Sequence, residues 1–374
     1  MRTRTETVEL LIAGQFHADW SSYDVDSDLL TPADAWHVTL GPRGSLPASV
    51  APGAPVKLRV GGERVIMGRI DEVDCDVSKD GRVYAVSGRD GAAVLVDCDA
   101  NVGSFEQIGL QDIVTKLVRP LGIQRIRIDA DNARLREKVS VEPGDSAWRA
   151  LANVAEANGL WPWFDPDGTL VVGGPDYTKP PVAHLVLRTS SQGTNVIRLV
   201  ERRSIHDRFS HVTVLGQARG TRTEAGRHGL KSTAEDPTVG AYRPHVVVDH
   251  EADSVAVCRD RARKLLMDGR LKGYTVTATV PGHRINAPGE ASDGALWMPG
   301  QRVHVRSEPH GIDRIMFVMG RRFAGGRGQA RQTTLTLKED GAWVLDAHPH
   351  KNRYRVGRNH AYAQILDASH GAER

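Results

Sequence analysis

Cysteine is scarce and odd in number: Cys75, Cys98 and Cys258 are the three in 374 residues. So few, so widely spaced, exclude a small secreted fold held by disulfides. Aromatic residues make up only 5%, too few to line a strand-binding channel with stacked bases. Neither sign of charge prevails: 49 Lys and Arg against 46 Asp and Glu leave a net +3. That balance does not describe a chain whose whole surface grips a polyanion. No apolar run approaches the roughly 18 residues of a membrane-crossing helix. The opening residues are basic and then apolar, but Glu6 and Glu9 interrupt them, so no signal peptide is expected.

The motifs of common chemistry are missing too. There is no Walker A loop and no G-x-G-x-x-G; Gly325-Gly326-Arg327-Gly328 reads as a hairpin turn. There is no H-E-x-x-H. The pairs His206/His211 and His245/His250 have the wrong interval for a helix face, and His348-Pro349-His350 lacks an acidic or cysteine partner nearby. No G-x-S-x-G elbow occurs. Asp74, Asp76, Asp97 and Asp99 flank two of the cysteines and disfavour thiolates, so core or loop positions are expected for all three. Asp24-Val25-Asp26-Ser27-Asp28 begins like a calcium loop. Leu29 stands where the turn needs Gly and Ala35 where a chelating Glu belongs, so a solvated acidic loop is expected. Val141-Glu142-Pro143-Gly144-Asp145-Ser146 resembles the opening of a peptidoglycan-binding LysM module, but the residues after it depart from that pattern. No catalytic, cofactor-binding or metal-binding residue is assigned, and no cofactor is expected.

The chain is rich in alternation. Trp36, Val38 and Leu40, then Val56, Leu58 and Val60, then residues 83–87 predict strands with glycine turns between them. Residues 1–100 are therefore expected to form a first antiparallel β-barrel domain. Residues 101–176 change period. Leu110, Ile113, Val114 and Leu117 predict a helix closed by Pro120, and Ile123, Ile126 and Ile128 a strand. Trp148, Leu151, Ala152 and Ala155 predict a second helix with Asp145 as N-cap and Asn158-Gly159 as its stop. A hairpin from Leu160 to Val172 comes next, turning at Asp165-Pro166-Asp167-Gly168, with the cluster Trp161-Pro162-Trp163-Phe164 expected to bury against the helix. This is an α+β domain. After a Gly/Pro linker, residues 177–243 and 273–340 read as a second β-barrel domain, with strands expected at Val196–Val200, Val212–Leu215, Tyr274–Val280, Val303–Val305, Ile315–Val318 and Thr333–Leu337. Residues 244–272 are expected to be a helical insertion, capped by Asp253 or Ser254, preceded by a strand at Val246–Val248. Residues 218–243 read as an exposed loop and 341–374 as a C-terminal tail. The arginines of 198–208 and 321–331 read as a solvated face or a contact to an acidic partner.

Two distant segments match. Pro52-Gly53 precedes Val56-Lys57-Leu58-Arg59, and Pro299-Gly300 precedes Val303-His304-Val305-Arg306; each is succeeded by a second strand, a turn and a third strand. Pro-Gly before a strand is common turn chemistry, but the run of three strands after it predicts two copies of one β module. The fold class expected is thus α+β, mainly β, with two similar barrels.

The order of these parts, with Val86-Ser87-Gly88-Arg89-Asp90 and Leu95-Val96-Asp97-Cys98 after the first barrel, Leu160-Trp161-Pro162-Trp163-Phe164 in the middle and Thr334-Leu335-Thr336-Leu337 at the end, resembles the baseplate hub proteins of Mu-like contractile phages. These belong to the late-control protein group and are similar to the N-terminal hub region of the type VI secretion spike protein. The resemblance spans about residues 5–340. It implies a structural protein without enzyme activity: a homotrimer in the virion tail baseplate, assembled in the host cytoplasm. Its partners would be the tail tube protein, a central spike protein and other baseplate proteins. DNA would pass through the lumen without specific contact, and this chain would not insert into a membrane. The family supplies no catalytic residue to carry over. The competing reading is a peptidoglycan-binding or cell-wall hydrolase component of the tail.

Overall fold

The structure, a computed structural model, describes residues 6–40, 46–79, 81–101, 103–129, 136–141, 143–156, 160–218, 227–249, 252, 254–342 and 366–367. Asp80, Asn158-Gly159, His250, Asp253, His348-Pro349-His350 and nearly all of the tail, which the sequence patterns single out, lie outside them. In chain order the strands and helices begin with β1 (Val8–Ile12), β2 (Gln15–His17), β3 (Ser22–Asp28), β4 (Ala35–Leu40), β5 (Pro55–Val60), β6 (Glu63–Ser78) and β7 (Gly81–Asp90). Then come α1 (Ala93–Asp97), β8 (Gly103–Ile108), α2 (Leu110–Val118), β9 (Ile126–Ile128), β10 (Arg136–Val141), α3 (Ala147–Glu156), β11 (Trp161–Phe164) and β12 (Leu170–Gly173). The rest are β13 (Ala183–Leu187), β14 (Arg198–Arg203), β15 (His211–Ala218), β16 (Arg227–Glu235), β17 (Pro244–Asp249), α4 (Val255–Gly273), β18 (Tyr274–Pro281), β19 (Arg302–Ser307), β20 (Ile312–Gly326), β21 (Gln329–Glu339) and β22 (Leu366–Asp367). The molecule is mainly β.

The chain divides into two compact units. The first comprises 1–173, 180–199 and 277–337; the second 174–179, 200–276 and 338–374. The principal sheet runs β14-β18-β21-β20-β3-β4-β7-β6-β5-β1-β2, with β13 joined through β19 to β20. Among the described residues this path does not close on itself. Its order nevertheless repeats. The run β3-β4-β7-β6-β5-β1 is matched by β14-β18-β21-β20-β19-β13, and the corresponding strands succeed one another in the same chain order. The backbone repeats at hydrogen-bond detail. Gly53 donates to the Ile70 carbonyl at 2.8 Å and Gly300 to that of Val318 at 2.8 Å; Ile70 donates back to Ala54 at 3.0 Å and Val318 to Gln301 at 2.8 Å. Both glycines have positive φ, 83° and 86°, which a residue with a Cβ resists. At the other end of each copy, Ser21 donates to Thr39 and Ile197 to Thr279, each at 2.8 Å. The copies differ at one edge: β1 meets β5 antiparallel, whereas β13 meets β19 parallel.

Alternation explains why these segments are strands. In β5, Val56, Leu58 and Val60 are buried and the residues between them are not; in β19, Val303, Val305 and Ser307 are buried in the same way. Two glycines let β6 cross β7 closely. A Cβ on Gly68 would lie 1.8 Å from the Arg89 carbonyl oxygen, and one on Gly88 would lie 2.1 Å from that of Arg69 and 2.5 Å from the Trp36 ring. Residues 93–173 add helices α1, α2 and α3 around a core that includes Leu95, Ile113, Leu117, Leu151, Leu160 and Leu170. Here Ser146, not Asp145, stands at the start of α3: its hydroxyl accepts from the Arg149 amide at 3.2 Å, while Asp145 pairs with the Arg149 side chain. In β11 the residues turned to the core are Pro162 and Phe164. Trp161 and Trp163 are half-buried, and their indole N–H groups donate to the Leu29 carbonyl at 2.6 Å and to Asp165 at 3.2 Å. Of the cluster expected to bury against the helix, Pro162 and Phe164 do so and the two tryptophans do not, because strand period 2 places them on the opposite face.

The second unit holds the sheet β17-β15-β16-β22 with α4 against it. Its core is Val212, Val214, Ala234, Cys258, Ala262, Leu266 and Met267. Ser254 caps α4, accepting from the Val257 amide at 3.3 Å. Val255, expected on the buried face, is 49% exposed. Residues 227–235 are strand β16, not loop; the polar sequence hid it because, among its described side chains, the buried ones are Ser232 and Ala234, with Asp236 continuing the alternation just after it. Residues 211–249, which by sequence join the second β region and its insertion, pair among themselves. The segment 204–273 thus enters the second copy between β14 and β18, where the first copy has only the turn 29–34 between β3 and β4.

Candidate functional site

The longest strands, β6 and β20, occupy the same place in the two copies, and each runs eight residues from its repeated contact to its hairpin: Ile70 to Ser78, Val318 to Gly326. Beyond Ile70, β6 has β7 on one side; among the described residues no strand pairs with its other edge. The resulting ribbon has two unlike faces, since alternate residues point to opposite sides. Glu72, Asp74 and Asp76 share one face with Val83; Val73, Cys75 and Val77 share the other with Tyr84 and Arg82. Val77 is 64% exposed. The ribbon's tip, residues 76–78 with 81–83, is two-stranded among the described residues, because β4 pairs with β7 at Tyr84 to Arg89; a two-stranded ribbon showing apolar residues to water is marginal on its own. At its root Arg89 is held by Asp71 and Asp97, each at 2.6 Å. The hydrogen bonds from Arg89 hold the Asp97 carboxyl below the usual carboxylate range.

The matching half of β20 is covered. β3 lies along it antiparallel, with Asp28 opposite Gly320, Asp26 opposite Arg322 and Asp24 opposite Ala324. The Arg322 guanidinium chelates Asp24, and Arg327 pairs with Asp19 at 2.5 Å. So Asp24, Asp26 and Asp28 are not a solvated loop. Tyr23 and Val25, buried between them, are the period-2 signal that marks a strand. Arg321 is buried, at 3% exposure; it donates to the Val25 carbonyl at 3.2 Å and lies 4.1 Å from the centre of the Phe323 ring. The reading of Arg321 as part of a solvated face is thereby corrected: Asp34 and Asp26 supply the charge that lets it stay inside. Loss of water pushes the Asp34 carboxyl up to about 6. Asp90 is raised well above the usual range, first by burial and then by Asp34.

Beside this cluster, His283 is fully buried between Tyr23, whose hydroxyl meets its Nε2 at 2.8 Å, and Thr333, 3.3 Å from its Nδ1. Burial, seconded by Arg321 and Arg331, lowers its pKa to about 4. On the exposed surface His304 bridges Asp313 at 2.6 Å and His184 at 3.2 Å. Neither group is singled out by the sequence; both join residues more than 100 positions apart. The three cysteines are free: Cys75 is exposed on β6, against the expected core or loop position, Cys98 is half-buried and Cys258 buried. His206 and His211 pair with Asp207 and Glu235 respectively.

Family models match in succession along the chain. Residues 7–90 match the N-terminal domain of the Mu phage baseplate assembly protein GpP-like family, and 92–174 the second domain of the gp44-like baseplate hub proteins. Residues 208–266 match the third domain of the NMB1110-like tail proteins, and 268–342 a tail protein C-terminal domain of that group. The baseplate hub protein gp44 of Escherichia phage Mu is 28% identical over 322 residues, 82% of this chain and 81% of gp44. The crystal structure of a tail protein from Neisseria meningitidis MC58 is 40% identical, with a TM-score of 0.81, covering 92% of this chain and 100% of that one. A type VI secretion component, the E. coli c3393 protein, described as similar to the T4 tail proteins gp27 and gp5, shares the fold at 14% identity with a TM-score of 0.54, over 93% of this chain and 78% of that one. By the succession of matched domains and by its identity to the neisserial tail protein, the chain belongs to the family of Mu-like phage tail proteins that includes the baseplate hub protein gp44.

Proposed function

We propose that this chain is a structural adaptor without enzyme activity: a homotrimeric ring in the virion tail baseplate, assembled in the host cytoplasm. It joins a six-fold tail tube to a three-fold central spike and encloses the passage for DNA. The observation that carries this is the repeat. Six strands in one order, with the same turn and edge hydrogen bonds, occur twice in one chain. Each copy is a barrel-like module whose closure is completed in the assembly. Three chains then present six similar modules, which lets a three-fold object seat on a six-fold one. The tail tube protein, the spike protein and other baseplate proteins are the partners this geometry fits. Native mass spectrometry of the full chain tests the core of the reading. A species of about 120 kDa, three times the chain mass of 40.8 kDa, is expected, and its image by electron microscopy is a ring with an open centre. A strict monomer at every concentration overturns it.

A further inference from the structure

The two copies already dock on each other once inside the chain. β3, the second strand of the first copy in chain order, lies on the covered half of β20, the fifth strand of the second. The same contact is left open in the reverse sense. β14 is the counterpart of β3 and has β18 on one side only among the described residues; the outer half of β6 is the counterpart of the covered half of β20. We infer that β14 of one subunit pairs with residues 72–78 of β6 in the next, repeating between chains the contact that β3 makes with β20 within one. This names the joint of the trimer and rests on that reading.

The register is set by the repeat. Ser21 corresponds to Ile197 and Val318 to Ile70 through their shared hydrogen bonds. The pairs Asp28–Gly320, Asp26–Arg322, Asp24–Ala324 and Ser22–Gly326 then translate into Ser204–Glu72, Arg202–Asp74, Val200–Asp76 and Arg198–Ser78. The charges agree with this alignment. Within the chain an acidic strand lies on a basic one. Between chains a basic strand, carrying Arg198 and Arg202, would lie on an acidic one carrying Glu72, Asp74 and Asp76. Arg202 would face Asp74 and have Glu72 and Asp76 on its diagonals. All five side chains make no ion pair among the described residues, and Asp74, Arg198 and Arg202 are exposed. On the other face Leu199 would cover Val77, now 64% exposed. A head-to-tail contact of this kind repeats until it closes, which yields rings. It also removes the two open edges that would otherwise invite misassociation.

Charge reversal in the full chain tests the joint. Asp74→Arg and Arg202→Asp, made singly, are expected to raise the concentration at half-assembly by about tenfold or more, because like charges then face each other. The double variant is expected to return it to near the parent value. Melting temperatures are measured alongside; all of these residues are exposed, so they are expected to stay unchanged. As an independent readout, Asp74→Cys with Arg202→Cys in a Cys75→Ser background is expected to give a disulfide-linked trimer on oxidation, since opposed strand residues lie roughly 4.5–5.5 Å apart at Cα. Neither single cysteine variant is expected to do so. A trimer indifferent to both reversals, or one that never cross-links, overturns the strand joint and leaves the hub reading standing. A parent chain that never trimerises overturns both.

Discussion

The outer halves of β6 and β20 have the same length and the same place in their copies, yet one carries carboxylates to open solvent and the other has a guanidinium sealed inside. The difference lies in what covers them. β20 received a strand from its own chain, so its Arg321 could be buried among Asp34, Asp26 and the Phe323 ring. β6 received none, and its residues 72–78 kept charges suited to water. One strand architecture thus yields a closed core in one copy and an open arm in the other, and the sign of the charges records which.

The largest effect that breaks this comparison is at Arg321. Its replacement by Met removes the buried charge that faces Asp34 and Asp26, and a loss of about 3–5 kcal/mol is expected in chemical denaturation. Val73→Ala, at the counterpart position in β6, is expected to cost far less than this. Equal losses at the two positions would show that the copies are not covered differently. Next come the glycines of the open copy. Gly88→Ala forces a Cβ onto the Arg69 carbonyl and the Trp36 ring; a loss of roughly 1–3 kcal/mol is expected, read from the denaturation midpoint.

Half-buried Asp34 and fully buried His283 sharpen the comparison through pH. Asp34, raised to about 6, binds its proton more tightly folded than unfolded. It therefore makes stability fall as pH rises from about 4 to 6. His283, lowered to about 4, is neutral when folded and charged when unfolded, so it makes stability rise as pH climbs from about 4 to 6.5. Asp34→Asn is expected to steepen the rise of stability with pH in this window, and His283→Gln to flatten or reverse it. Denaturation series at several pH values would show the opposite signs; the same sign for both variants refutes the assignment. The smallest effect is at the tip of the arm. Val77→Ser is expected to leave monomer stability within about 0.5 kcal/mol while weakening assembly, measured by the same mass spectrometry.

Much of the fold is legible in the sequence because it rests on local period. Residues 35–40, 55–60 and 302–307 alternate cleanly, α2 and α4 show their apolar stripes, and Pro-Gly marks both copies of a turn that shares its hydrogen bonds. Strand β16 is hidden because Arg, Lys, Ser and Thr carry no such period in hydrophobicity. The acidic run 24–28 misleads because its aspartates draw attention away from Tyr23 and Val25. The buried cluster and the His283 network are beyond reach altogether: their members come from both ends of the chain, and no spacing rule links Asp34 to Arg321.

By itself the sequence determined the alternation, the turns and the duplication, since each depends on residues a few positions apart. Tertiary structure alone decided that β3 crosses to the other copy and that an arginine is buried while its counterpart strand stays acidic and bare. The reason is that burial and pairing of charge depend on which distant strand fills an edge, and that is a property of the folded sheet.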